Sequence, residues 1–331
     1  MARQPRCGEQ FAGLVAALAL LQSLIMVGAS FAQAPAGTRT VDPVPESIYL
    51  KGHPATLPVS LSVLIHQQRW AEAAQSAEKF TLEHPRDSAG FYWLGVARQK
   101  LHDPVRAIQA LRSAERLGLG TPAFHMVLGI AYYNLHQFVL FEEQMQMAIR
   151  SEPFRYEPYY YLGIYYEDVL NRWEHALELF HRAAELEPDD PRSMYGAGYC
   201  LEALGKRDEA AKTYEESIKL IERNSGRFSG PHQGMARLLL DTDPYKALPF
   251  AHKALELEPS SASNHVILAK AYERVGRLTE AVEELQLAAY LSPTDPSPRF
   301  ALARVYEKLG RSGAAGSELQ MFEKLTRIYG P

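Results

Sequence analysis

Eleven histidines are the first side chains to suggest chemistry, because imidazole binds metals and moves protons near neutral pH. Their spacing supports neither role. No His-Glu-x-x-His pair occurs, and His175 and His181 stand six apart, poor geometry for one face of a helix. Most histidines are therefore read as loop or surface residues. Of the two cysteines, Cys7 lies in the N-terminal segment expected to be a signal peptide and Cys200 in a helical pattern, so no pair remains to hold zinc. Cys200 reads as a small buried side chain. Gly118-Leu119-Gly120 lacks the preceding strand and third glycine of a dinucleotide fingerprint, and Gly205-Lys206 lacks the rest of a phosphate loop. Glu142-Glu143 and Asp189-Asp190 are adjacent in sequence, so they diverge around a helix or sit in a turn instead of flanking a substrate. The expectation is a protein that is not an enzyme, with no cofactor and no metal.

What must position any site is a large folded chain. Its 331 residues are 47% hydrophobic and 22% charged, far too apolar for a disordered polymer. The formal net charge is −4 without a long basic run, which removes the electrostatic footprint of a nucleic-acid binder. Proteins or small solutes remain as partners.

The N-terminus reads as an address. Arg3 and Arg6 precede an uncharged apolar stretch from Phe11 to Ala29, and Ser30-Phe31-Ala32 puts small residues where a signal peptidase reads. Residues 1–32 are thus expected to be a signal peptide, cleaved after Ala32, since a cut after Ala34 would meet Pro35. The rival is an uncleaved membrane anchor, and only then would the protein touch a membrane. Residues 33–54, with Pro35, Pro43, Pro45 and Pro54, read as a linker. The expected location is exported, periplasmic or secreted. None of Asn134, Asn171, Asn224 and Asn264 begins a glycosylation acceptor, which fits a bacterial envelope.

From 55 to 327 one pattern recurs: a small residue, an aromatic three residues on, a second small residue after twelve, then a proline. The second small place falls at Ala73, Ala107, Phe141, Ala176, Ala210, Ala247, Ala281 and Ala315, at intervals of 34, 34, 35, 34, 37, 34 and 34. Eight units fit. Each reads as a helical hairpin, because apolar residues recur at helical spacing on both sides of a break such as Gly205, Gly276 or Gly310, which suits a left-handed helix cap. Gly or Ala in mid-helix lets two axes approach, and Pro85, Pro153, Pro188, Pro259 and Pro293 stop the second helix. A lone hairpin cannot bury its apolar faces, so the units must stack.

Tyr159, Leu162, Gly163, Tyr166, Ala176, Phe180, Ala183 and Pro188 make the chain resemble the tetratricopeptide repeat, whose unit is 34 residues with this order of small, aromatic and proline places. The resemblance implies an all-α, right-handed superhelical solenoid of helix-turn-helix units. Three departures stand out. Unit one has Leu61 and Phe80 where small residues belong. Phe141 replaces alanine in unit three, so that helix pair is expected to separate slightly or shift register. The 37-residue interval places a polar, glycine-containing insertion at 223–231, read as a hinge or as a longer packed loop.

Members of the family line a concave groove with residues two, five, nine and twelve places into the first helix of each unit. Carried over, those places hold Tyr92, Tyr160 and Tyr195 at the fifth, Tyr199 at the ninth, Tyr133, Glu167 and Glu202 at the twelfth, and Glu157 at the second. The resemblance therefore implies an aromatic groove with acidic spots, suited to an extended, proline-containing or basic peptide. Packing is the alternative role for the same tyrosines. Lys270 and Arg304, at the ninth place of units seven and eight, form a smaller basic pair that Glu273 and Glu307 could neutralise. The expected function is a scaffold or adaptor for a protein segment. Two alternatives stay open: a structural component that self-associates through the last helix, with Leu319, Phe322, Leu325 and Ile328, and an accessory subunit that stacks its tyrosines on a glycan or lipid-linked substrate.

Overall fold

The structure is a computed structural model that describes residues 58–224 and 226–329, all within the compact unit Pro35–Pro331. The signal peptide, its cleavage site and the 33–54 linker lie outside these residues. Every described element is a helix. Unit one pairs α1 (Val59–His66) with α2 (Trp70–Glu83), unit two α3 (Ser88–Lys100) with α4 (Pro104–Arg116), and unit three α5 (Pro122–Tyr133) with α6 (Phe138–Ser151). Unit four pairs α7 (Glu157–Asp168) with α8 (Trp173–Leu186), and unit five α9 (Pro191–Ala203) with α10 (Arg207–Arg223). Units six to eight follow as α11 (Gly230–Leu239) with α12 (Pro244–Leu257), α13 (Ala262–Arg274) with α14 (Leu278–Leu291), and α15 (Ser297–Lys308) with α16 (Ser312–Tyr329). Each helix packs on the one before and the one after it, and several first helices also touch the first helix of the next unit. The chain is an all-α solenoid.

Local chemistry sets the helix ends. Asp87, Asp103, Thr121, Asp190, Asp243 and Ser261 each accept a hydrogen bond from a backbone N–H of the first turn, which satisfies donors that the helix itself leaves open. Second helices stop two residues before Pro85, Pro153, Pro188, Pro259 and Pro293, as the ring demands. The turns inside seven units pass through a left-handed residue: Gln68, His102, His136, Asn171, Gly205, Gly276 and Gly310. Three are the expected glycines. The other four carry the same turn on a side chain that pays steric strain for it.

All eight second small places are buried to within 1% of complete coverage. They sit at the crossings. A methyl group added to Gly95 would lie 2.6 Å from Leu111 Cγ and 3.2 Å from the Ala107 carbonyl, so the helices of unit two meet at contact distance. In unit three, the equivalent distance from Gly129 to the Phe141 carbonyl is 3.5 Å. The pair opens only slightly, because the Phe141 ring leaves the crossing and lodges beside Tyr133 (5.2 Å between centroids) and Tyr165 (5.4 Å). Phe80 in unit one is housed likewise by its neighbour, with Gly90 of α3 leaving space for the ring. Burying such side chains contributes about 1.5–3 kcal/mol each before conformational entropy is subtracted.

The insertion at 223–231 does not enlarge the loop by its full length. α10 runs 17 residues where α8 and α12 run 14, so much of the extra chain becomes helix. The segment after it is anchored. Arg223 and Asn224 reach Asp189, the Ser229 N–H donates to Glu258 Oε1 at 3.0 Å, and the Phe228 ring sits edge-on to Tyr195 at 5.3 Å.

Candidate functional site

The predicted groove residues lie on α3, α5, α7 and α9, with Glu157 opening α7. The structure divides them. Tyr92 has no exposed surface, nor has Glu167, and Tyr133 has 5%. Burial pushes the Tyr92 phenol far above its usual range. Their register neighbours Val96, Gln99, Met126, Ile130 and Ile164 are buried too. A covered side chain meets a ligand only after something moves, so Tyr92, Tyr133 and Glu167 are packed wall in this conformation instead of open groove.

Tyr160 and Tyr199 keep part of their surface, and Tyr195, at 8% exposure, lies beside Tyr199. Arg192 lies 5.3 Å over the Tyr160 ring while donating to Asp190 Oδ1 and to the Tyr156 hydroxyl, both at 2.8 Å. Tyr195 meets Tyr199 at 6.4 Å and Tyr214 at 5.8 Å, and Tyr199 faces Trp173 at 6.1 Å. Arg237 lies 4.9 Å over Tyr199. This is an aromatic strip edged by guanidinium groups.

The acidic spots are already engaged. Glu157 accepts from Arg155 Nε at 3.2 Å, and Glu202 accepts two bonds from Arg237, both at 2.7 Å, plus one from the Tyr214 hydroxyl at 2.9 Å. Burial works against the Arg237 charge, but Glu202 and the neighbouring phenols outweigh it and raise its pKa. Burial likewise drives the Tyr156 phenol up to about 12. A basic residue arriving at Glu157 or Glu202 would therefore compete with an arginine in place.

Arg155, Arg237 and Tyr214 were not singled out by the sequence pattern, yet a signal for some of them existed. Arg237 and Glu202 are 35 residues apart, Arg192 and Tyr156 are 36, and Arg304 and Glu273 are 31. Polar partners in stacked units recur at about one period.

At the other end, Lys270 on α13 and Arg304 on α15 are exposed, as is Glu307. Glu273 accepts from Arg304 at 2.6 Å and from Lys308 at 2.8 Å. Burial pushes the Glu273 carboxyl up, and the two cations more than offset this and hold it below the usual range. On α16, Leu325 is buried and Phe322 packs on Phe300 at 5.2 Å, while Leu319 and Ile328 stay exposed.

Other chemistry reads as structure. Cys200 is buried, Asp190 caps α9, and Asp189 pairs with Arg223. Most described histidines lie at the surface, and His125, His232 and His265 are the buried exceptions; His125 bonds Gln144, and His265 bonds Glu284 at 2.6 Å. Among the described residues no group of three or more His, Cys, Asp or Glu could hold a metal ion, and no helix is long and apolar enough to cross a membrane. A surface hollow of about 480 Å³ beside Phe154 has Glu157 in its wall but none of the five predicted tyrosines.

Comparison with known proteins agrees with this architecture. The tetratricopeptide repeat family model matches residues 62–118, 161–225 and 243–296. The chain is 22% identical over 224 residues to tetratricopeptide repeat protein 37 of Xenopus laevis, a match covering 66% of this chain and 14% of that protein's length. Among solved structures, the Cut9–Hcn1 hetero-tetramer of the APC/C superposes with a TM-score of 0.63 at 14% identity, covering 82% of this chain and 53% of the other. Yeast Tom70 superposes with a TM-score of 0.59 at 18% identity, covering 85% of this chain and 59% of the other. These likenesses concern the fold. With its period, its crossings and its family match in agreement, the chain belongs to the tetratricopeptide repeat family.

Proposed function

We propose that this chain is a non-enzymatic scaffold whose first-helix face binds an extended protein segment, with Tyr160, Tyr195 and Tyr199 as the contact strip. One observation carries the reading: Trp173 of unit four meets Tyr199 of unit five and Arg192 of unit five lies over Tyr160 of unit four, while Tyr160 and Tyr199 keep exposed surface. Such rings offer large contact area at little entropic cost and suit proline-containing segments. Asp190 orients Arg192 over Tyr160, and Glu202 orients Arg237 over Tyr199.

A peptide selected by display against the full-length chain tests this. Tyr160→Ala and Tyr199→Ala should each weaken its binding by about 1–3 kcal/mol with helicity unchanged, since contact aromatics act through desolvated area. Unchanged affinity in both variants would refute the strip. We further propose export with cleavage after Ala32, on the strength of the apolar stretch and the small residues that follow it. An intact mass that begins at Gln33 is the expected result, and retention of residues 1–32 in a membrane fraction would establish the anchor instead.

A further inference from the structure

The first-helix face is covered in units two to four and open in unit seven, although the helices around it are arranged alike. Among the described residues, α5 of unit three packs on α3, α4 and α6, and α13 of unit seven packs on α11, α12 and α14. At the fifth, ninth and twelfth places unit three holds Met126, Ile130 and Tyr133, with 0%, 0% and 5% of their surface exposed. Unit seven holds Val266, Lys270 and Glu273 there; Lys270 is exposed and the other two keep part of their surface. Side-chain size does not account for this, since Val266 is smaller than Met126 and yet the more open. The cover continues over Tyr92, Val96 and Gln99 in unit two and over Ile164 and Glu167 in unit four. It thins at Tyr199 and Glu202 in unit five. Equivalent helix neighbours leave unit seven open, so something other than the neighbouring helices lies over units two to four.

Two polar side chains show what that cover must offer. Gln99 is 4% exposed, and neither its Oε1 nor its Nε2 has a hydrogen-bond partner, so a donor and an acceptor are buried side by side. An extended backbone presents the matching N–H and C=O. Glu167 is a carboxylate with no exposed surface, which calls for a cation or donors close to it.

We propose that residues 35–57 of this same chain lie along the face as a resident, self-inhibiting ligand of units two to four. The segment belongs to the same compact unit as the repeats and enters the array at α1, beside the covered end. It is long enough. First helices of consecutive units touch in places, so α7 stands about three steps of roughly 10 Å from α1, whereas the segment reaches roughly 70 Å at about 3.1 Å per residue. Its chemistry suits the wall: Val41-Asp42-Pro43-Val44-Pro45 favours an extended backbone, Ile48-Tyr49-Leu50 brings apolar bulk to Met126, Ile130 and Ile164, and Lys51 is a cation of the sign Glu167 requires. This deepens the scaffold reading and rests on it, since both take the face to accept an extended segment. An outside partner would begin at Tyr160 and Tyr199, where surface remains open, and would gain units two to four only by displacing the resident segment.

The test reads maleimide labelling of Gln99→Cys in the full-length chain, with Cys7→Ser and Cys200→Ala removing the native thiols. Labelling is expected to be slow, and to speed up at least tenfold when Ile48→Asp, Tyr49→Asp and Leu50→Asp are added. A synthetic peptide of residues 35–57 supplied in trans should restore the slow rate, which an unfolded variant would not allow. Lys270→Cys should label fast in both chains. Equal rates at position 99 with and without the three aspartates would overturn the proposal, as would failure of the peptide to protect, or a rise in rate that needs only the removal of residues 1–32. If residues 35–57 do not protect position 99 while the displayed peptide still depends on Tyr160 and Tyr199, the resident ligand fails and the scaffold stands. If they protect it while both tyrosine variants bind the displayed peptide unchanged, the strip fails and the resident ligand stands.

Discussion

The twelfth place of the first helix holds a glutamate in units four, five, seven and eight, and the four behave differently: Glu273 is taken by Arg304 and Lys308. Glu167 has no exposed surface, Glu202 is half-buried in a bond to Arg237, and Glu307 is exposed. The ninth place shows the same drift. Val96, Ile130 and Ile164 are buried in units two to four, whereas Lys270 and Arg304 are exposed in units seven and eight. Repeat register fixes the direction in which a side chain leaves its helix, but it does not fix whether anything covers that side chain. One face of the solenoid thus begins as an apolar wall, passes through an aromatic strip and ends in charge. The family signature residues are almost the same throughout, so this gradient resides in the places that the signature leaves free.

The gradient extends to the crossings, and substitutions there probe it hardest. Phe141→Ala should cost about 3–5 kcal/mol, because the ring fills a site shared with Tyr133 and Tyr165 that the helices cannot collapse. Chemical denaturation measures this. The reverse exchange at the equivalent place of unit seven, Ala281→Phe, should cost about 1–3 kcal/mol by overpacking, with Glu283→Ala nearly silent as its control. Similar losses for Ala281→Phe and Glu283→Ala would mean that the units are out of register.

A smaller effect separates the middle from both ends. Burial lowers the pKa of His232 on α11, so the folded chain binds its proton less readily than the unfolded chain does. The unfolded state then holds more protons below the ordinary histidine range, and stability falls as pH drops through about 6.5 toward the folded value. His232→Gln should flatten that slope in melts taken from pH 7 to pH 5. The smallest change concerns the turns. His136→Gly should raise stability by up to about 1 kcal/mol, since its backbone is left-handed at φ 56°. Gly276→His at the equivalent turn should lower it.

Much of this was legible in the sequence. Small residues at fixed intervals revealed the crossings because a glycine or alanine lets the axes approach, with Phe141 the exception, and Gly205, Gly276 and Gly310 marked their turns because glycine takes a left-handed backbone without strain. Gln68, His102, His136 and Asn171 make equivalent turns without that cue, so the same geometry was hidden. The groove was half legible. The register put Tyr195 and Tyr199 side by side on one helix, whereas the covering of Tyr92, Tyr133 and Glu167 depends on neighbours that a one-dimensional pattern does not weigh. Polar composition left 223–231 as a hinge or a packed loop, and the contacts of Arg223, Phe228 and Ser229 with Asp189, Tyr195 and Glu258 were not readable from it. The engagement of Glu202 by Arg237 was readable only by comparing residues one period apart.

Among the described residues of this chain, the substantial helix contacts are with the helices on either side and with the first helix of the next unit. Its interfaces therefore behave as elements in series, and a pull on the two ends would strain each of them instead of one central core. The molecule should stretch and recoil as a spring, giving way at its weakest junction while the rest keeps its shape. A guest lying across several units would stiffen that spring, so tension and occupancy would each alter the other.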